Sequence, residues 1–301
     1  MIFSTAPSVS ATRRTWLTAA VLAVPWLQAC GHGQVRQGDL QALQTLEKNA
    51  AGRLGAALVD HRGSPLFTYR AEERFPACST FKALLAALVL DLEANRPGLL
   101  QQRVRYARTD LTTYAPVTGR FVEIGMTVAE LCDATVRYSD NVAANLLMRE
   151  FGGPQALTAF ARRLGDTTFR LDRWEPDLNT AIPGDPRDTC TPLDMARNLR
   201  HLVLGDGLPA TGRAQMARWL VGNTTGDKRI RAGVPAGWTV GDKTGTGDYG
   251  STNDIAVLWP SQGEPMVLAV YFTQFGADAK ARDDVLAETT RRALDAASLG
   301  R

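Results

Sequence analysis

The sequence predicts a two-lobed α+β fold: a five-stranded antiparallel sheet built from both chain ends and flanked by helices, plus a mostly helical lobe. Three observations carry this. Two short apolar runs, Leu54–Val59 and Pro65–Tyr69, flank Asp60-His61-Arg62-Gly63-Ser64, a hairpin signal. Three more strand-like runs, Trp238–Lys243, Asp254–Trp259 and Met266–Thr273, lie near the other end. Between them, from about Ser79 to Gly226, the pattern is helical and broken by Gly and Pro. The cleft between the two lobes is where a ligand site is expected.

The elements follow in order. Residues 1–29 contain no acidic side chain, two arginines (Arg13 and Arg14) and an apolar run from Trp16 to Ala29. That run is interrupted by Pro25 and is shorter than the roughly 20 residues that span a bilayer, so it reads as an export signal. Thr12-Arg13-Arg14-Thr15-Trp16-Leu17 resembles a twin-arginine signal. Leu27-Gln28-Ala29-Cys30 resembles a lipobox, which would make Cys30 a lipid anchor. Residues 30–38 read as a linker and 39–299 as the folded domain, with a sheet lobe over about 39–75 and 230–299 and a helical lobe over about 76–229. Asp39–Ala50 is a helix by the spacing of Leu40, Leu43, Leu46 and Glu47. Phe81, Leu84, Leu85, Leu88, Val89 and Leu92 predict a helix apolar over much of its surface and central to the core. Ala281–Ala297 closes the chain as a helix with Val285, Leu286 and Leu294 on one side.

Composition excludes several functions. The 301 residues are 45% hydrophobic and 22% charged, ordinary values for a folded chain of one large or two modest domains. Thirty-four basic against 31 acidic residues give no electrostatic case for nucleic acid. Three histidines, at 32, 61 and 201, and four cysteines without a CxxC pair predict neither a zinc site nor any other metal.

Four short motifs carry chemistry, each with a plainer reading beside it. Ser79-Thr80-Phe81-Lys82 is the one SxxK; positions i and i+3 share a helix face, so the Lys82 amine can reach the Ser79 hydroxyl. A serine becomes a nucleophile only beside a base, and with histidine scarce a lysine or carboxylate must serve. Taken alone, Ser79 reads as a helix cap and Lys82 as a surface charge. Ser139-Asp140-Asn141 opens the helical segment Val142–Arg149 and by itself signals an N-cap; Ser251-Thr252-Asn253 fits S-x-N too. Lys243-Thr244-Gly245-Thr246-Gly247 ends a strand. Gly245-x-Gly247-x-x-Gly250 mimics a dinucleotide fingerprint, but strand rather than helix follows it. Arg173-Trp174-Glu175-Pro176-Asp177-Leu178-Asn179 opens a stretch to Thr191 with no helical period, read as a long surface loop of the kind that is usually either functional or disordered.

In this order the four motifs resemble a class A serine β-lactamase, whose signature includes SxxK, SDN and KTG. The separations Ser79–Ser139, Ser139–Glu175 and Glu175–Lys243, of 60, 36 and 68 residues, fit as well. The likeness runs from about Asp39 to Ala297. Arg-Phe-Pro-x-Cys-Ser-Thr-Phe-Lys, Phe-Arg-Leu-Asp-Arg and Lys-Thr-Gly-Thr-Gly-Asp-Tyr-Gly look especially similar to chromosomal Burkholderia-type penicillinases.

The resemblance implies a periplasmic monomer that hydrolyses small-molecule β-lactams, both penicillins and cephalosporins, without a cofactor. It makes Ser79 the nucleophile, with Lys82 and Glu175 sharing its activation. The oxyanion hole would be the main-chain N–H groups of Ser79 and Thr246. Ser139, assisted by Lys243, would protonate the lactam nitrogen, and Glu175 with Asn179 would hold the hydrolytic water. Asn141 would bind the substrate side chain, Tyr114 would flank the cleft, and Thr244, Gly245, Thr246 and Arg229 would form the carboxylate end. Thr252 stands where some relatives carry that arginine. An ion pair of Arg173 with Asp188 would close the loop, and the Glu175–Pro176 bond would be cis. Relatives that bridge Cys132 or Cys78 pair them with positions occupied here by Ala86 and Gly247, so free buried thiols are expected, and carbapenem hydrolysis is not. The alternatives are a D,D-peptidase, which lacks the deacylating glutamate, and a non-hydrolytic β-lactam sensor, which hangs on several membrane spans.

Overall fold

The computed structural model describes residues 1–5, 37–112 and 114–299. Arg13, Arg14 and Cys30 lie outside the described residues, and among those residues no helix is long and apolar enough to cross a membrane. Nine strands are described: β1 (Gly52–Asp60), β2 (Pro65–Tyr69), β3 (Phe75–Pro76), β4 (Arg103–Val104), β5 (Met126–Thr127), β6 (Thr189–Cys190), β7 (Thr239–Thr246), β8 (Thr252–Trp259) and β9 (Met266–Gln274). The helices are α1 (Gln37–Asn49), α2 (Phe81–Asn95), α3 (Val128–Arg137), α4 (Asn141–Phe151), α5 (Gly153–Arg163), α6 (Pro192–Val203), α7 (Ala210–Val221), α8 (Ile230–Gly233) and α9 (Asp283–Ala296). α1 begins inside the stretch read as linker.

The main sheet has the order β2-β1-β9-β8-β7, antiparallel throughout, so the N-terminal hairpin docks on the C-terminal meander as predicted. The joint is β1 with β9, in register from Gly52 opposite Gln274 to Asp60 opposite Met266. Strand alternation splits the core in two. Leu54, Ala56, Leu58, Leu268, Val270 and Phe272 face α1 and α9, whereas Ala57, Val59, Ile255, Val257, Ala269 and Tyr271 face the helical lobe. α2 is buried on every side from Phe81 to Leu90, as its apolar surface predicts. α6 belongs by chain position to the helical lobe, yet it packs on the inner face of the sheet against β1 and β9. Both lobes belong to one unit, residues 32–301.

Two local features aim the site. β7 extends past the predicted Lys243 to Thr246, so the K-T-G segment is paired with β8 rather than trailing off the strand. The chain then turns back directly into β8, which rules out the dinucleotide fingerprint. Asp140 caps α4 as the S-D-N pattern predicts: its side chain accepts from Ala143 N at 2.9 Å and from Val117 N and Thr118 N at 2.9 Å each. Its neighbour Ser139 takes a φ of 56°, the left-handed region that few side chains adopt without outside support.

Candidate active site

Ser79 sits in a single tight turn, Cys78–Thr80, that runs into α2, and it is 8% exposed. Its Oγ donates to Glu175 Oε1 at 3.3 Å. Lys82 lies one turn along α2 on the same face, fully buried. Its amine bonds elsewhere than to the Ser79 hydroxyl that the spacing suggests. Lys82 Nζ donates to Ser139 O at 2.8 Å and Asn141 Oδ1 at 2.6 Å, and pairs with Glu175 Oε1 at 2.9 Å. Three close acceptors match the three N–H bonds of an ammonium group. Burial nevertheless lowers the Lys82 pKa from its ordinary value, against the opposing attraction of Glu175.

Glu175 hangs from the loop between Arg173 and Thr191, whose Glu175–Pro176 bond is cis. Asn179 Nδ2 donates to Glu175 Oε2 at 2.5 Å. At the neck of the loop Arg173 Nε donates to Asp188 Oδ2 at 2.5 Å, and Asp188 Oδ1 accepts from Asp172 N and Arg173 N at 2.7 and 3.0 Å. The loop is a surface feature on one side only: Glu175, Leu178, Ala181 and Asp188 are buried beneath it.

The facing wall is β7. Lys243 Nζ, also fully buried, donates to Ser139 Oγ at 3.1 Å and Thr244 O at 2.7 Å. Burial first, and then the charge of Lys82, hold its pKa well below the ordinary lysine value. Gly245 permits close packing: a Cβ there would stand 3.1 Å from Ala77 O and 3.2 Å from Ser79 N. Arg229 Nη2 donates to Thr246 Oγ1 and its Nη1 to Gly245 O and Asn253 O, each at 2.8 Å, while Nε donates to Asp283 Oδ1 at 2.8 Å. Cys78, Cys132 and Cys190 are free and buried as expected, and burial pushes the Cys78 thiol up to about 12.

A cleft of about 360 Å³, within the range for small-molecule sites, is lined by Ser79, Tyr114, Ser139, Asn141, Asn179, Thr225, Arg229, Thr244 and Thr246. Tyr114 stands at its rim, 48% exposed. Ser79, Ser139, Asn141, Asn179, Thr244 and Thr246 of the four motifs therefore line this cleft, and Lys82, Glu175 and Lys243 contact those linings from beneath. Sequence reasoning missed Thr225, whose hydroxyl meets that of Thr244 at 2.5 Å. It also missed Asn145, which clamps the main chain of Glu175 by donating to its O at 2.9 Å and accepting from its N at 3.0 Å. One signal existed for Asn145: it falls four residues after Asn141, on the same face of α4. Nothing local marks Thr225 or Asp283, and Asn253 showed only as the end of a second S-x-N match.

The family model described as "Beta-lactamase enzyme family" matches residues 40–297. The chain belongs to the class A beta-lactamase family. It is 52% identical over 283 residues to a beta-lactamase of Citrobacter koseri, covering 93% of this chain and 96% of that one. It is equally 52% identical over 280 residues to beta-lactamase Toho-1 of Escherichia coli, covering 93% and 96%. Neither of these is a Burkholderia enzyme. Among solved structures, a beta-lactamase from Desulfarculus baarsii superposes with a TM-score of 0.84 at 51% identity, covering 88% of this chain and 98% of that one. A variant of the last common ancestor of Gram-negative class A beta-lactamases gives 0.83 at 56% identity, covering 86% and 98%. As a β-lactamase, the protein is a hydrolase of β-lactams.

Proposed function

We propose that this β-lactamase opens penicillins and cephalosporins through an ester on Ser79, which a water activated by Glu175 then hydrolyses. The observation that carries the reading is a single carboxylate oxygen, Glu175 Oε1, within reach of both the Ser79 hydroxyl and the Lys82 ammonium, at 3.3 and 2.9 Å. With all three Lys82 protons directed at other acceptors, Glu175 is the base that takes the Ser79 proton. Ser79 Oγ attacks the lactam carbonyl, and the main-chain N–H groups of Ser79 and Thr246 stabilise the oxyanion, each worth about 3–4 kcal/mol in such sites. The C–N bond breaks as Ser139 gives its proton to the departing nitrogen. Lys82, 3.4 Å from Ser139 Oγ, then replaces that proton and is itself reprotonated by Glu175. Its lowered pKa favours the hand-over. Lys243 holds the other side of the Ser139 hydroxyl. Glu175, again a carboxylate, deprotonates a water that Asn179 helps to hold. The resulting hydroxide adds to the ester carbonyl, the bond to Ser79 Oγ breaks, and Glu175 hands the proton to that oxygen, restoring the free enzyme.

Arg229, Thr244, Gly245 and Thr246 form the end of the cleft that takes the substrate carboxylate; Asn141 meets the side-chain amide and Tyr114 borders it. Arg173 with Asp188 holds the loop that carries Glu175. A site complete within one chain needs no second copy, and the working unit proposed is a monomer. The residues Arg13-Arg14 and Leu27–Cys30 support export to the periplasm and a lipid anchor at Cys30. Cell fractionation tests the anchor: Cys30→Ser should move the protein out of the membrane fraction, and an unchanged distribution argues against it.

Glu175 with Asn179 is what separates this reading from a D,D-peptidase or a sensor, which acylate without rapid turnover. Purified protein should hydrolyse nitrocefin over many turnovers; a single stoichiometric burst would sink the proposal. Glu175→Ala should slow acylation, with Lys82, freed of its carboxylate partner, taking the Ser79 proton instead, and should block deacylation far more. Penicilloyl-protein should therefore accumulate and be visible by mass spectrometry; an ester that still turns over counts against the assigned roles.

A further inference from the structure

The second S-x-N match, Ser251-Thr252-Asn253, ends on a side chain to which the cleft gives no part. Asn253 is 1% exposed and lies on β8 directly opposite Gly245. Strand alternation puts it on the inner face with Ile255 and Val257. There Nδ2 donates to Pro76 O at 2.8 Å and to Ala77 O at 3.3 Å, the two carbonyls just ahead of Cys78 and Ser79. On its main chain, Asn253 O accepts from Arg229 Nη1 at 2.8 Å. One residue thus touches both the guanidinium at the carboxylate end and the turn that presents the nucleophile.

That turn needs outside support. Cys78 takes a φ of 43°, a left-handed conformation that a residue with a Cβ holds only when its surroundings over-determine it. Within the chain, Ala77 O already accepts from Thr80 N at 3.2 Å and Thr80 Oγ1 at 2.7 Å, but Pro76 O faces Asn253. We infer that Asn253 is a positioning residue for acylation: its amide pins the Pro76 and Ala77 carbonyls to β8, holding the Ser79 hydroxyl and N–H in place against β7. The inference rests on Ser79 as nucleophile and adds a residue that never meets substrate. It divides the labour within one residue. The main-chain oxygen serves Arg229 and survives any substitution, whereas the side chain serves the turn and does not.

Rapid-quench mass spectrometry with benzylpenicillin separates the acylation rate from the noncovalent dissociation constant. Asn253→Ala should slow acylation about ten- to a hundredfold, the scale of a small misplacement of reacting atoms. The dissociation constant should stay within about twofold, because alanine still offers Arg229 its carbonyl. Acylation within about twofold of the parent, or an equal loss in binding, overturns the inference. Asn253→Asp is the same size and decides the matter if the alanine variant does not fold. Its ionised carboxylate repels the Pro76 carbonyl, and its protonated form donates to it. Acylation by Asn253→Asp, taken relative to the parent at each pH, should therefore recover as pH falls from about 8 to about 5, through the range where a buried carboxyl titrates. A flat ratio overturns the inference. The parent protein is the control for the underlying chemistry: if it carries no adduct on Ser79, the nucleophile assignment fails; if it does and the Asn253 variants acylate normally, only the positioning role fails.

Discussion

On the helical side of the cleft Lys82 and Glu175 are held by side chains; on the sheet side Lys243 and the K-T-G backbone are held by a strand ladder. Lys82 has a carboxylate partner at 2.9 Å, and Glu175 is fixed by Asn145, Asn179 and the Arg173–Asp188 neck. Lys243 is as deeply buried, yet among the described ion pairs it has none, and the charges that favour its protonated form, Asp242 and Asp254, act from a distance. β7 pairs with β8 at every residue from Thr239 to Thr246. The difference teaches that the loop wall depends on a few directional contacts that single substitutions can remove. The strand wall keeps its backbone in place whatever the side chains, and its cost is electrostatic.

The largest expected effect comes from cutting the neck. Arg173→Ala leaves the Asp188 carboxylate buried with two main-chain N–H partners only, and should cost about 3 kcal/mol, the lower end for breaking a buried pair. The variant should also deacylate slowly, since Glu175 loses its support. Denaturant unfolding and the lifetime of the penicilloyl-enzyme read both effects, and an unchanged lifetime would show that the loop holds itself. Asn145→Ala should follow, at about 1–3 kcal/mol for two unmet buried main-chain groups on Glu175. Its kinetic defect should again fall on deacylation more than on acylation; an equal loss in both would erase the distinction between the walls.

The smallest effect is a pH dependence on the sheet side. A lysine whose folded pKa lies below its ordinary 10.5 destabilises the fold while it must stay charged, and this penalty fades as pH rises toward 10.5. Lys243→Met should therefore compare most favourably with the parent at neutral pH and lose that advantage toward pH 10.5. Parallel melting curves across pH check it, and a difference independent of pH would mean that Lys243 carries no such penalty.

Part of the site was legible in local spacing: Ser79 and Lys82 share a helix face at i and i+3, and Asp140 caps the helix that follows it. The roles of Glu175 and Asn179 came from the resemblance that the four motifs carry in their order. The strands at both ends showed in their apolar runs. What stayed hidden depends on distant segments meeting. Asn145 acquires meaning from a loop 30 residues away and Asn253 from a turn 176 residues upstream. Helix spacing puts the Lys82 amine within reach of Ser79 but does not say where it bonds, because the competing acceptors arrive from Ser139, Asn141 and the loop.

By itself the sequence determined the order of elements, through periodicity, and the family resemblance, through motif order and spacing; that resemblance in turn supplied the residues for acyl transfer. Only the tertiary structure decided which acceptor each proton faces and which neutral amides brace the catalytic groups. Hydrogen bonds are settled over tenths of an ångström, and that placement is a product of the β7–β8 register and of the loop's closure on α4, which no local stretch of sequence encodes.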